Sequence, residues 1–303
     1  MNRKPVWSGY FADPFLTRDA DGFVAYGSGD PRHSVPGFEA IRSEDLSSWT
    51  WAGRVFEGVD PAFGDAYWAP EVVNADGAWW LYYSVGQGIE GHHIRVARSD
   101  AALGPFVDTG VNLTPDEPFA IDAHPFRDVD GSWYLYFARD VLDDPRPGTH
   151  LAVKRMIGMT SVDERTTSVL APDSDWQIYE RDRHMYGRVL DWHTLEGPTV
   201  VPHGNSYVLF FSGGSWEGEG YGVSFATAPH PLGPWTHVPA PAPDVLSSAI
   251  TGLVGPGHNS ILRAPDRDDL IAYHAWNDAR SARQMYLEPI IWHGDRPSLR
   301  HLG

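Results

Sequence analysis

Three carboxylates in a chain of 303 residues, Asp13, Asp122 and Glu196, fall at one place within successive copies of a short, loosely repeated pattern. Each copy opens with a polar residue near a proline, runs through a few apolar residues to a turn, and enters an aromatic-rich strand. The copies are Asp13-Pro14-Phe15 with Asp21-Gly22, Pro70-Glu71 with Asp76-Gly77, and Asp122 to Phe126 with Asp130-Gly131. Two more are Glu196-Gly197-Pro198 with Gly204-Asn205, and Pro256-Gly257-His258 with a turn at 266–269. Asp13 and Asp122 each stand eight positions before their turn aspartate, Glu196 stands at a similar remove from Asn205, and Glu71 and His258 fill the place in the other copies. Two carboxylates facing a glycosidic bond hydrolyse it when one is protonated and the other ionised, a difference that burial and neighbouring charge can set. A third carboxylate close by raises the pKa of the group that must arrive protonated.

Such residues act together only if the fold gathers them. The aromatic runs begin near residues 23, 79, 133, 207 and 270, at intervals of about 55 to 75 residues, room for one four-stranded propeller blade with its loops. Five copies therefore predict an all-β, five-bladed β-propeller. The first strand of each blade lies nearest the axis, so equivalent first-strand positions converge although they are distant in sequence. Asp-Gly at 21, 76 and 130 supplies the positive φ angles of tight hairpin turns. Leu103-Gly104-Pro105-Phe106 and Leu232-Gly233-Pro234-Trp235 follow the expected third strands of two blades and mark their outer edges. No window of twelve or more residues sustains a helical apolar spacing without Gly or Pro. Residues 139–192, rich in Arg, Asp and Pro, break the repeat; they read as the rest of the third blade plus an insertion over the binding face, with Trp176 to Tyr179 as a strand.

Composition narrows the classes of function. A net charge of −17 repels phosphate backbones and anionic bilayers, so neither nucleic acid nor membrane is an expected partner. Hydrophobic residues at 42% and aromatics at 13% exclude disorder and suit sugar-binding surfaces. The 31 Gly and 25 Pro are spread along the chain as turn punctuation, so a single domain over 1–303 is expected. With 0 Cys there are no disulfides, thiolate metal sites or thiol nucleophiles. The basic residues Arg3 and Lys4 are followed by no apolar run, which points to a cytoplasmic protein. Asp19 to Gly22 and Asp128 to Gly131 lack the glutamate and flanking helices of calcium loops and read as hairpin turns.

Five ordered motifs carry a family resemblance: Ala12-Asp13-Pro14-Phe15, Trp68-Ala69-Pro70-Glu71, Ile121-Asp122 with His124-Pro125-Phe126, Leu195-Glu196-Gly197-Pro198, and Gly255-Pro256-Gly257-His258-Asn259. In kind and order the sequence resembles glycoside hydrolase family 43, whose five-bladed propellers act with inversion on arabinose- and xylose-containing saccharides. The resemblance implies Asp13 as general base, Glu196 as general acid and Asp122 as the residue that adjusts the acid's pKa and orientation. It implies release of a terminal pentose, most readily α-L-arabinofuranose, from a small oligosaccharide, with β-xylosidase as the rival within the family and a non-catalytic carbohydrate-binding propeller as the alternative outside it. It assigns no catalytic role to Glu71. The chemistry itself needs no cofactor, but His258 resembles a histidine that relatives place beside calcium or another ion on the propeller axis. Arg283 resembles a fifth-blade arginine that reaches the sugar, with Arg280 near enough to compete. Trp68 and Trp216 are candidates for pocket walls, because aromatic faces complement the C–H faces of sugar rings.

Overall fold

A computed structural model of the protein describes residues 3–30, 36–263 and 268–300. Its strands form a five-bladed β-propeller. Blade one is β1 (Ala12–Asp19), β2 (Gly22–Ser28), β3 (Phe38–Ser43) and β4 (Thr50–Phe56), and blade two is β5 (Ala66–Ala75), β6 (Ala78–Gln87), β7 (Glu90–Ser99) and β8 (Val107–Asn112). Blade three is β9 (Ala120–Arg127), β10 (Trp133–Val141) and β11 (Gly148–Gly158), edged by the short β12 (Ser161–Val162) and β13 (Thr167–Leu170). After β14 (Ile178–Met185), blade four is built from β15 (Arg188–His203), β16 (Ser206–Gly213) and β17 (Gly222–Ala228). A four-residue helix, α1 (Ser248–Thr251), precedes blade five, which is β18 (Val254–Leu262), β19 (Leu270–Trp276), β20 (Arg283–His293) and β21 (Arg296–Leu299).

The second strand of each blade is sandwiched between two neighbours, which is why those strands are apolar almost without interruption. Along β6, Leu81, Tyr83 and Val85 enter the core shared with blade one, while Tyr82 enters the core shared with blade three. Along β16, Leu209 and Phe211 face blade three while Val208 and Phe210 face blade five. A strand buried on both faces shows no polar alternation. Burying each such side chain contributes roughly 1.5 to 3 kcal/mol. The two Leu-Gly-Pro-aromatic turns lie at outer edges as their position implied. Phe106 sits in the core of blades one and two, and Trp235 meets Tyr136 of blade three edge to face. Tyr26 and Tyr136 each donate a hydroxyl hydrogen bond of 2.6 Å to the turn of the following blade, at the Ala102 and Pro231 carbonyls.

The ring closes through the N-terminal segment, where Val6 and Phe11 donate backbone N–H groups at 2.8 Å to the Met285 and Arg283 carbonyls of β20. The 139–192 region completes blade three and then adds the β14–β15 hairpin. That hairpin carries β15 eight positions beyond Glu196, and Arg188 pairs with Met185 at its far end. Tyr186 in its turn donates at 2.6 Å to Asp140 of blade three, and a parallel pairing of Gly148 and Thr149 with His193 and Thr194 joins blades three and four into one sheet. Trp176 lies in a single 3-10 turn (Asp175–Gln177) before β14 and not in the strand predicted at 176–179; its ring stacks on Phe211 and fills the space Gly213 leaves open. Of the fifth-copy turn, residues 266–267 lie outside the described residues.

Candidate active site

Each inner strand carries a bulge, and at each bulge one residue takes a left-handed conformation: Asp13 (φ 51), Ala69 (φ 48), Asp122 (φ 60), Gly197 (φ 56) and His258 (φ 48). Four of these have a side chain, where that conformation costs about 1 kcal/mol or more each, a strain characteristic of functional sites. These five residues are equivalent by strand register. The residues just before them, Ala12, Trp68, Ile121, Glu196 and Gly257, pair with Ser28, Ser84, Ala138, Ser212 and His274 on the second strands. The alignment read from the sequence is thereby corrected in two copies. Glu196 stands one residue before the shared position and Glu71 two residues after it. Proline is the better register mark: Pro14, Pro70 and Pro198 each follow the left-handed residue, as expected of a residue type that disfavours right-handed helical geometry before it.

The second-strand residues explain how the bulges are held. Ser28 accepts the Ala69 N–H at 2.8 Å, Ser84 accepts that of Asp122 at 3.0 Å, and Ser212 accepts that of His258 at 2.8 Å. A serine in one blade thus caps the bulge of the next. Two junctions depart from the rule. His274 Nδ1 accepts the Asp13 N–H at 3.0 Å. Ala138 can accept nothing, and the Gly197 N–H is taken at 2.9 Å by the Asp122 carboxylate itself. Both departures fall on the three acids.

Asp13 is 8% exposed and faces positive or polarisable groups: Arg283 Nη1 at 3.3 Å, His274 Nδ1 at 3.3 Å and His258 Nδ1 at 3.5 Å, all to Oδ1. Burial opposes its charge, but His258 and Arg283 beside it outweigh burial and hold the carboxyl well below its ordinary pKa. Burial lowers both histidines, His274 to about 4, so at neutral pH the lasting positive charge beside Asp13 belongs to Arg283. Glu196 sits in the opposite setting. Its Oε1 receives the hydroxyl of the fully buried Tyr221. Burial first, then the charge of Asp13, push it up to about 7 against the pull of Tyr221 and Arg283. Asp122 is raised well above its ordinary value by burial and by the charges of Glu196 and Asp13. The cluster therefore favours the ionised form of one carboxyl and the protonated form of the other two.

Arg283 is fixed by more than Asp13. Its Nε and Nη2 donate to the Tyr10 hydroxyl at 3.0 and 2.9 Å, and its guanidinium lies 4.5 Å from the centre of the Trp216 ring. Trp216 in turn stacks on Trp276, whose Nε1 donates to the Trp216 carbonyl at 2.9 Å. Arg280 points elsewhere, to Glu219 at 3.6 Å. Trp68 is half-buried and stacks on His92 with ring centroids 3.6 Å apart. Glu71 accepts from His124 Nδ1 at 2.7 Å, and His124 Nε2 accepts the Val200 N–H at 3.0 Å, so this pair ties blades two, three and four. His258 Nδ1 is turned toward Asp13 and, at 3.9 Å, Asp122. Among the described residues no three His, Asp or Glu side chains converge as a metal cage. Next to His258, Asn259 buries both its amide oxygen and nitrogen without a partner among the described residues, a pair that water satisfies and a bare cation satisfies only by half. The side chains alone do not make an ion site.

Tyr10, Tyr221 and His274 escaped the sequence reading. Tyr10 reaches Arg283 because the N-terminal segment closes blade five. Tyr221 lies in the loop between β16 and β17, with no motif around it. His274 takes the register place of Ser28, Ser84 and Ser212, a place that counting from the start of the aromatic run assigns to Ala275.

The sequence model of Glycosyl hydrolases family 43 matches residues 2–297. An extracellular exo-α-(1→5)-L-arabinofuranosidase of Streptomyces avermitilis is 26% identical over 94% of the chain, which spans 60% of that relative's length. A β-D-galactofuranosidase, xynD, of Aspergillus niger is 29% identical over 89% of the chain and 75% of its own. Among solved structures, a thermostable family-43 glycoside hydrolase superimposes with a TM-score of 0.83 at 23% identity, covering 99% of this chain and 96% of that one. An endo-1,4-β-xylanase from Bacteroides thetaiotaomicron gives a TM-score of 0.77 at 26% identity, covering 99% and 97%. The chain belongs to glycosyl hydrolases family 43.

Proposed function

We propose that the protein is an inverting, exo-acting glycosidase that releases a terminal pentose, α-L-arabinofuranose above all, from short oligosaccharides. The observation that carries the mechanism is the opposed setting of two buried carboxyls: Asp13 ionised against Arg283, and Glu196 protonated against Tyr221 with a pKa of about 7. In a single displacement Asp13 takes a proton from water as the water oxygen bonds to the anomeric carbon. The bond from that carbon to the leaving oxygen breaks, and Glu196 gives its proton to that oxygen. The products are the free sugar of inverted configuration and the shortened alcohol. Asp122 acts on Glu196 by accepting the N–H of the next residue, Gly197, at 2.9 Å. Arg283, backed by Tyr10 and Trp216, is placed to hold a sugar hydroxyl beside Asp13. The choice of arabinofuranose rests on the Streptomyces and other relatives named for it, and release from a chain end on their exo-acting names.

The test is a panel of nitrophenyl α-L-arabinofuranoside, β-D-xyloside and β-D-galactofuranoside with NMR of the first anomer released. Preferential turnover of the arabinofuranoside with inversion is expected. Release of xylose or galactofuranose alone would reassign the substrate, and retention would overturn the mechanism.

A further inference from the structure

The second strand of blade five departs from the serine rule in a way that bulge capping alone does not require. Serine in the same register place caps the bulges of blades two, three and five. His274 does the same for Asp13, but with Nδ1 accepting, its Nε2 carries a proton that has no partner among the described residues, and the ring is 0% exposed. An imidazole here adds a desolvation penalty that serine would avoid. What the larger ring adds is a surface. Tyr221 lies on it, ring centroids 5.9 Å apart and planes within 9°. Gly257, paired with His274 across the two strands, leaves room for that ring: a Cβ on it would stand 2.2 Å from Tyr221 Cε1, so only glycine fits there.

We propose that His274 and Tyr221 form a positioning pair that ties the acid to the base: His274 holds the Asp13 backbone and seats the Tyr221 ring, whose hydroxyl fixes the Glu196 carboxyl. The idea rests on the acid and base roles just given, and it adds two residues that touch no substrate atom. The device keeps the proton donor at a set distance and direction from the strand that carries the base. It also sets the donor's strength, because a hydroxyl donating to Glu196 favours the ionised form and lowers its pKa. Other groups face Glu196: Asp13 and Arg283 from blades one and five, Asp122 from blade three, and Tyr179 from β14. Among the described residues, Tyr221 is the one hydrogen-bonded to the Glu196 carboxyl.

The experiment follows the Glu196 carboxyl directly by 13C NMR in protein labelled at glutamate, its signal assigned by its loss in Glu196→Gln. Tyr221→Phe keeps the ring and its seat but removes the hydroxyl. The Glu196 midpoint is expected to rise by about one pH unit, and the alkaline limb of kcat to rise with it. His274→Ser keeps a cap for the Asp13 N–H but removes the seat, so a smaller rise in the same direction is expected. The double variant should rise no further than Tyr221→Phe alone. An unchanged Glu196 midpoint in Tyr221→Phe would overturn the pair's role, whatever the activity. So would a rise in the double variant equal to the sum of the single ones. Failure of the wild type to hydrolyse any glycoside in the panel would remove the functional reading, while the carboxyl titration would still decide whether the tie exists.

Discussion

The junction between blades five and one and the junction between blades three and four use one backbone device to opposite ends. In both, a left-handed residue on an inner strand presents an N–H that the neighbouring blade must accept. At the first, the acceptor is the neutral imidazole His274, which leaves the Asp13 carboxylate free to face Arg283 and His258. At the second, Ala138 offers nothing and the Asp122 carboxylate is spent on the Gly197 N–H, one residue from Glu196. Positive charge gathers at one junction and carboxyls crowd at the other. The same strand geometry therefore favours an ionised group at one junction and a protonated one at the other, according to the charges each junction brings together.

The largest test of that contrast removes each reacting group. Asp13→Asn and Glu196→Gln are both expected to lose roughly 100-fold or more in kcat/KM on the arabinofuranoside. They should differ in leaving-group dependence. A dinitrophenyl glycoside, whose leaving oxygen needs little help from an acid, is expected to recover much of the loss in Glu196→Gln and almost none in Asp13→Asn. Equal recovery in both would erase the distinction between the junctions. In the wild type, kcat should fall as pH rises through about 7, where Glu196 gives up its proton, because the donor must start protonated. Asp13, held well below its ordinary value, keeps the acid limb low.

Removing the charge at the first junction is the next largest. Arg283→Met leaves Asp13 buried with only neutral histidines, so its pKa is expected to rise, by about one unit or more. The acid limb of kcat/KM should move to higher pH by that amount, and the rate at the optimum should fall about tenfold or more as a sugar contact goes with the charge. An unmoved acid limb would show that Asp13 does not depend on Arg283. Arg283→Lys should restore part of the shift but little of the rate, since one ammonium cannot reach Asp13 and Tyr10 together.

Much of this design was legible in the sequence, and where it was not the reason is physical. Five blades followed from five aromatic runs, because strands buried on both faces must be apolar along their length. The three acids could be picked out by motif, but their register could not. A bulge shifts pairing by a residue without altering composition, so in the sequence Glu196 and Glu71 read as equivalent to Asp13, whereas they lie one before and two after the shared place. The supports of the acids were invisible for another reason. Tyr10 and Tyr221 meet Arg283 and Glu196 through ring closure and loop packing, contacts between residues 273 and 25 positions apart that no local pattern encodes. Trp176, apolar and beside a strand, reads as part of it because spacing does not separate a tight turn from the strand it feeds.

A smaller effect is expected from repairing the rule at the second junction. Ala138→Ser places a hydroxyl where three other blades have one, beside the Gly197 N–H. It should draw that N–H away from Asp122, removing a bond that favours the ionised carboxyl, so the pKa of Asp122 moves still higher and Glu196 loses its tether. A decrease of about three- to tenfold in kcat with little change in KM is expected, or roughly 0.7 to 1.4 kcal/mol of barrier. A substitution that makes the scaffold more regular would thus make the enzyme worse. Full activity would mean that the bond from Gly197 to Asp122 is incidental.

The smallest effect on catalysis should come from breaking the rule where no acid is involved. Ser28 caps Ala69, whose side chain carries no chemistry, and the bond is buried. Ser28→Ala leaves a buried N–H without a partner and is expected to lower stability by about 1 to 3 kcal/mol in a denaturant titration. Its kcat and pH limbs should match the wild type within about twofold, since neither Asp13 nor Glu196 touches that cap. The value of the variant lies in its pairing with Ala138→Ser. One removes a cap and should lose stability without rate; the other adds a cap and should lose rate without stability. If both lost rate alike, the bulges would be acting as one mechanical ring.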